Sequence, residues 1–208
     1  MRKSWRCFVK YSKYLSYRDS GVAWLGDVPE HWEATRLGNL GVLTASGIDK
    51  KLKENEPFVY IINFTDIHKA INGKLTKEIN YMKVTTPLDK KMSNQVSKGD
   101  LIFTPSSETI EDIGISALVD EELLDTAFSY HVLRFHFTEL LDHSYRKYIT
   151  NNTFALAQFS MKARGTTRQT LGRDDFKTIN LALPPLQEQQ TIANYLDTAT
   201  AKIDTLIE

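Results

Sequence analysis

The strongest constraint on this chain lies at its C-terminal end, where Pro184-Pro185-Leu186-Gln187-Glu188-Gln189-Gln190 runs into a helical pattern that stays apolar to the final residues. From Ile192 the apolar positions are Ile192, Leu196, Ala199, Ile203 and Leu206, at spacings of four, three, four and three. That is a heptad seam rather than a broad globular face, and a seam calls for a partner helix. Pro185 suits the first turn, where its missing N–H costs nothing, and Glu188 sets negative charge near the positive end of the helix dipole. No stop signal follows Ile192 apart from Asn194 inside the pattern, so the helix either continues or docks elsewhere.

The remainder is long enough for one sizeable core: 208 residues, 41% hydrophobic and 11% aromatic, in the ordinary range of globular chains. One main domain with an appended helix is the simplest division, over residues 1–183 and 184–208. No apolar run approaches the ~18 to 20 residues of a membrane span. The basic segment Met1 to Arg18 is interrupted by Tyr, Trp and Ser, unlike a secretory signal, which predicts a cytoplasmic location. The single Cys7 excludes an internal disulfide and a cysteine-built zinc site.

Net charge is zero, yet the charges are unevenly spread. Arg2, Lys3, Arg6, Lys10, Lys13 and Arg18 precede the first acid, whereas the stretch from Pro105 to Leu133 carries Glu108, Glu111, Asp112, Asp120, Glu121, Glu122 and Asp125 with no Lys or Arg. This predicts a polarised molecule with one face open to a polyanion, although solvated charge runs are the commoner explanation of such patterns.

Trp5, Phe8, Tyr11 or Ser12, and Leu15 fall at helical intervals and predict a basic first helix over about residues 4–17. Trp24 to Trp32 reads as an ordered loop pinned by two indoles. The middle reads as sheet: Phe58 to Phe64 is a β run, Asn72-Gly73 signals a hairpin, and Asp100 to Thr104 follows a Lys98-Gly99 turn. Ile113 to Val119 and Tyr130 to Phe137 continue it, the second with Leu133, Phe135 and Phe137 alternating against Val132, Arg134 and His136. A helix is expected from an N-cap near Thr138, with Leu141, Tyr145, Tyr148 and Ile149 facing the core, and another over Phe154 to Met161. Asp174 or Asp175 caps a short helix, and Ile179, Leu181 and Leu183 form a last strand. The fold class is therefore α+β, a mixed sheet with flanking helices plus the C-terminal helix.

Two loops carry suggestive chemistry. Between Lys162 and Arg173 lie Arg164, Thr166, Thr167, Arg168 and Gln169 with no acid among them. Arg pairs bidentately with guanine edges or phosphates, Gln with adenine, and Thr meets a phosphate or a thymine methyl. Lys50, Lys51 and Lys53 form a second basic loop suited to backbone phosphates. On residue types alone a solvated loop remains the commoner reading of both. The five histidines include no HExxH pair, and His131 and His136 are expected on opposite faces of one strand. No nucleophile elbow, Walker loop, methyltransferase Asn/Asp-Pro-Pro-Tyr/Phe motif or nuclease carboxylate cluster is present, Asp89-Lys90-Lys91 reading as turn chemistry. The residues present no catalytic or metal site.

Tyr17 to Glu33, with its Trp24-Leu25-Gly26-Asp27-Val28-Pro29-Glu30-His31-Trp32 core, resembles the opening of the specificity subunits of type I restriction-modification systems. Lys98 to Phe103 is similar to that family's central strand motif. Arg164 to Gln169 resembles the end of its target-recognition domain, and Leu183 to Gln189, continued by Ile192 to Asp197 and Lys202 to Ile207, the start of its spacer helix. The resemblance implies a non-catalytic subunit, used in defence against foreign DNA, that reads one half of a bipartite site in double-stranded DNA. It also implies methyltransferase subunits docked on the helices and a restriction subunit joined through the complex, with S-adenosylmethionine, ATP and Mg carried only by those partners. Full-length members have two recognition domains and two spacer helices, so the chain resembles one half, its seam completed by a second copy or by a second half. The rival readings are a fragment of a DNA methyltransferase or nuclease, and a coiled-coil interaction module.

Overall fold

The computed structural model describes residues 14–22 and 25–207. Two short antiparallel strands, β1 (Tyr17–Asp19) and β2 (Asp27–Pro29), come first, and β3 (Glu33–Arg36) and β4 (Gly41–Ala45) flank a single turn of 3-10 helix. Next are β5 (Phe58–Ile62), α1 (Phe64–His68), β6 (Lys74–Leu75), β7 (Met82–Thr85) and α2 (Leu88–Ser93). The chain continues through β8 (Leu101–Phe103), β9 (Ser106–Ser107), β10 (Ser116–Val119), β11 (Thr126–Phe128) and β12 (Leu133–Phe137). It finishes with α3 (Arg146–Thr150), α4 (Thr153–Lys162), β13 (Gln169–Thr170), α5 (Arg173–Lys177), β14 (Asn180–Leu183) and α6 (Leu186–Ile207). The architecture is α+β, as the alternation of strand and helix patterns predicts.

Five strands make the central sheet in the order β4-β12-β8-β10-β6, antiparallel except for the β10–β6 pair. β8 reads Leu-Ile-Phe without alternation because both faces are covered. Leu101 and Phe103 enter one core, and Ile102 enters a second on the opposite side. β10 divides in the same way, Leu118 to the first core and Ala117 with Val119 to the second. Helices close the first core, where the Phe176 ring lies 5.1 Å from Phe103 and 4.9 Å from Phe159. A smaller sheet, β11-β5-β7, contributes Ile62 and Phe128 to the second. β12 behaves as its period of two predicts, with Leu133, Phe135 and Phe137 buried and His136 exposed. Opposite Phe137, a Cβ on Gly41 would lie 2.1 Å from the His136 carbonyl oxygen, so only glycine fits there.

Several expectations are corrected. Most of the expected first helix, from residue 4 to residue 13, lies outside the described residues; Tyr14 to Ser16 are not helical, and Tyr17 opens β1. Asn72 and Gly73 do form a tight turn with φ of 52° and 67°, but it joins α1 to β6, and β6 pairs in parallel with β10 rather than in a hairpin. Phe64 begins a helix, its preceding Asn63 N–H donating to Asp66. The helix expected from Thr138 starts only at Arg146, after a turn in which Asp142 Oδ1 accepts the Tyr145 N–H at 3.0 Å. β10 starts at Ser116 rather than Ile113, Asp89 to Lys91 are helical, and His131 precedes the strand that holds His136. The acidic stretch is not a bare face: Lys74 and His143 meet Asp120, Lys77 meets Glu121, and Lys91 meets Asp125.

α6 divides into a docked and an exposed part. Its first turn is capped by the Pro185 carbonyl, which accepts the Glu188 and Gln189 N–H groups. Glu188 takes hydrogen bonds from the Tyr14 hydroxyl, from His31 Nε2 at 2.8 Å and from Trp32 Nε1 at 3.1 Å. The buried Gln189 side chain donates to the Pro184 carbonyl and accepts the Asp142 N–H, each at 2.9 Å. Ala193 is fully buried, Ile192 packs at the margin of the first core, and Asp197 holds the buried Lys147 ammonium at 2.7 Å together with the Tyr148 hydroxyl. Beyond that point Ile203 and Leu206 are exposed. The seam is thus not uniform: its first turns pack on the chain's own domain, and only its end is bare.

Burial pushes the Glu188 and Asp197 carboxyls upward, but their donors outweigh it and leave both below their usual values. Such groups stabilise above the unfolded-state pKa and lose that contribution as pH falls, so docking of α6 weakens below about pH 4. Asp197→Ala leaves the Lys147 ammonium without a counter-charge, held among the described residues by the Asn72 carbonyl at 3.2 Å and the Tyr148 ring at 4.8 Å. Denaturant unfolding is expected to show a loss of about 2 to 4 kcal/mol, the lower end reflecting the partial exposure of Asp197, and Asp197→Ala with Lys147→Met recovers much of it.

Candidate nucleic-acid interface

The loop after α4 is closed at its base like a small hairpin. Arg164 and Thr170 exchange backbone hydrogen bonds of 3.0 and 2.8 Å, and β13 pairs with β9. Gly165 sits at φ 126°, and a Cβ there would approach the Arg168 carbonyl oxygen to 2.1 Å, so the turn requires glycine. Within the loop the candidate residues separate. The Arg164 guanidinium bonds Asp175 at 3.2 and 3.4 Å, tying the loop to α5, while the Gly172 N–H caps the same carboxylate at 2.8 Å. Gln169 Nε2 donates to the Gly165 carbonyl at 2.9 Å. Thr166, Thr167 and Arg168 are exposed, and among the described residues their side chains have no hydrogen-bonding or ionic partner. In this conformation Arg164 and Gln169 shape the loop and Arg168 is presented.

The second basic loop is an ordered ledge on the smaller sheet. Ile48, almost wholly buried, packs with Val59, Ile61, Val84 and Ala127. The Ile48 N–H donates to Ser46 Oγ at 3.0 Å, the Lys53 N–H to Thr85 Oγ1 at 2.7 Å, and the Thr85 N–H to the Lys51 carbonyl at 3.1 Å. Lys51 is paired with Asp49 at 2.6 Å, and Lys53 lies 3.7 Å from Glu56. Lys50 has no carboxylate partner among the described residues. Lys90 reaches the Gly47 carbonyl at 3.4 Å and adds a cation at the loop's start.

These two loops, about 115 residues apart in the chain, both bear on the segment Tyr130–His131, one by a backbone hydrogen bond and the other by the charge of Arg168. The Tyr130 N–H donates to the Ile48 carbonyl at 3.1 Å, and the Tyr130 and His131 rings lie 3.7 Å apart between centroids. His131 is held below its usual pKa by partial burial and by the positive charge of both Lys50 and Arg168, with Asp49 opposing. One imidazole therefore senses a cation from each loop. The local signal for Tyr130 and His131 was weak, because a polar aromatic pair before a strand has no fixed meaning until the fold supplies its neighbours.

Among the described residues no group of three or more His, Cys, Asp or Glu is placed to hold a metal ion, and no helix is long and apolar enough to cross a membrane. The surface offers hydrogen-bond donors and positive charge on two ordered loops, with exposed threonine and aromatic groups beside them. This is the equipment of a nucleic-acid contact face.

The family model for the type I restriction modification DNA specificity domain matches residues 29–208, and the chain belongs to that family. The fold agrees. The HsdS subunit from Thermoanaerobacter tengcongensis matches with a TM-score of 0.58 and 14% identity over 91% of this chain and 41% of that one. The S subunit of a type I restriction-modification system from M. genitalium matches with a TM-score of 0.51 and 14% identity over 85% of this chain and 41% of that one. A chain from a structure describing complex assembly and conformational transition of the type I system matches with a TM-score of 0.60 and 15% identity, over 87% and 41%. This chain thus spans about two fifths of the length of these solved relatives. No curated protein matches its sequence.

Gly165→Ala forces a side chain into a backbone conformation costing about 1 to 3 kcal/mol. The expected outcome is an opened loop with faster tryptic cleavage after Arg168 and a nearly unchanged global melting temperature, since the loop contributes little to either core.

Proposed function

We propose that this chain is a DNA-reading element of a type I restriction-modification complex, taking one half of a bipartite site in double-stranded DNA. The observation that carries the reading is the Tyr130–His131 segment, hydrogen-bonded to the lysine loop through the Ile48 carbonyl and acted on by the charge of both Lys50 and the exposed Arg168, so that cations from two loops serve one surface. Arg168 is the base-reading candidate, with Thr166 and Thr167 beside it. Lys50, Lys51 and Lys53 anchor phosphates, and Arg164 and Gln169 set the loop's shape before DNA arrives.

The exposed end of α6, with Ile203 and Leu206 outside the domain, supports pairing with the helix of a second copy or of a second half. Methyltransferase subunits dock along those helices and the restriction subunit joins through the assembly. The chemistry, with S-adenosylmethionine, ATP and Mg, belongs to those partners, and the chain itself works in the cytoplasm without catalysis or a cofactor of its own. A two-fold pair of such chains reads a palindromic split site, because the symmetry of the protein is imposed on the half-sites.

Mapping methylated adenines in cells that carry this chain with its methyltransferase partner tests the reading directly: a split motif is expected, and none would overturn it. In the same assembly Arg168→Ala is expected to cost about 1 to 3 kcal/mol on the cognate site and to relax one base position. Lys50→Ala weakens all duplexes alike and lowers the salt slope by about one. Unchanged binding in both variants refutes these assignments.

A further inference from the structure

The pair at the meeting point of the two loops is itself suited to a role, and this step rests on the DNA-reading function above. His131 is exposed, so a ligand reaches its imidazole without rearrangement of the core. Its ring lies against Tyr130, which fixes one side of it, and the Tyr130 N–H bond to the Ile48 carbonyl fixes that segment against the lysine loop. The groups that act on it are Lys50 and Asp49 from that loop, Arg168 from the other, and the neighbouring Tyr130. Among the described residues no side-chain hydrogen bond engages either nitrogen of the imidazole.

We propose that His131, shelved against Tyr130 between the two basic loops, is a phosphate contact that binds DNA in its protonated form, so that duplex binding takes up a proton. In the free protein partial burial first, and then the charges of Lys50 and Arg168, disfavour the imidazolium against the opposing Asp49, and the imidazole gives up its proton more readily than usual. A phosphate entering between Lys50 and Arg168 reverses that field. It supplies the opposite charge that His131 lacks, and the imidazolium then donates a hydrogen bond to a phosphate oxygen. Because proton uptake accompanies binding, affinity rises as pH falls through the interval between the bound and free pKa values. The contact carries no base information, so it works on any sequence and contributes to the first, non-specific encounter.

The test is titration of the full chain with a random-sequence duplex at fixed low ionic strength, from about pH 8 to about pH 6, the window in which a histidine changes charge. Affinity is expected to rise across that window, by at most about tenfold per pH unit for one linked proton. His131→Gln keeps a hydrogen-bonding side chain at an exposed position. It is expected to bind within about twofold of the parent at pH 8 and to lose the rise, because glutamine takes up no proton. Tyr130→Ala, which removes the shelf, is expected to reduce the rise while Lys50→Ala lowers affinity at every pH. Binding that is flat across the window in the parent chain, or a rise retained in His131→Gln, overturns the proposal while leaving DNA reading intact. Absence of duplex binding at any pH overturns both.

Discussion

The architecture depends on a sheet buried on both faces. Leu101, Ile102 and Phe103 are wholly buried in succession, alternate residues feeding different cores, and this is possible only if helices cover one side and a second sheet the other. Once those layers are committed to the hydrophobic term, the polar segments between them are displaced to the rim. The lysine ledge, the Tyr130-His131 corner and the Arg164–Thr170 hairpin are such displaced segments. They are ordered because each is anchored at its root: Ile48 in a small core, Tyr130 on the Ile48 carbonyl, Arg164 on Asp175. The proposed DNA contact would combine these anchored roots with exposed side chains.

α6 is the other organising element, and it is held by polar chemistry as much as by packing. Gln189 satisfies one backbone group on each side of it, and Asp197 neutralises a lysine that would otherwise be buried alone. Buried pairs of this sort add little net stability against an apolar alternative, but they admit only one geometry. Here they hold the first turns of the helix against the domain.

Local chemistry made a good part of this legible. The alternation of β12, the apolar run of β8, the short strand before the prolines and the start of the long helix near Pro185 follow from period, composition and the missing proline N–H, all properties of adjacent residues. The errors share a cause. Asn72-Gly73 does form its turn, but whether a turn joins paired strands depends on residues far along the chain, here β10. The acidic stretch from Pro105 to Leu133 looked unbalanced because its lysine partners, Lys74, Lys77 and Lys91, come from earlier segments. The heptad spacing calls for a partner helix without saying which segment supplies it, and the first turns pack on their own domain, where Ala193 is buried and Asp197 meets Tyr148 and Lys147.

The sequence by itself determined the class of fold, the start of the long helix near Pro185, and the residue types of two basic loops, since each is encoded within a few neighbouring positions. Only the tertiary structure decided that those loops share one corner, that Arg164 and Gln169 are occupied while Arg168 is presented, and that His131 lies where charge from both loops acts. These are long-range facts: they arise from burial of Ile48, Phe103 and Phe176 in cores assembled across the whole chain, and hydrophobic burial carries no local mark of which distant segment will be brought alongside.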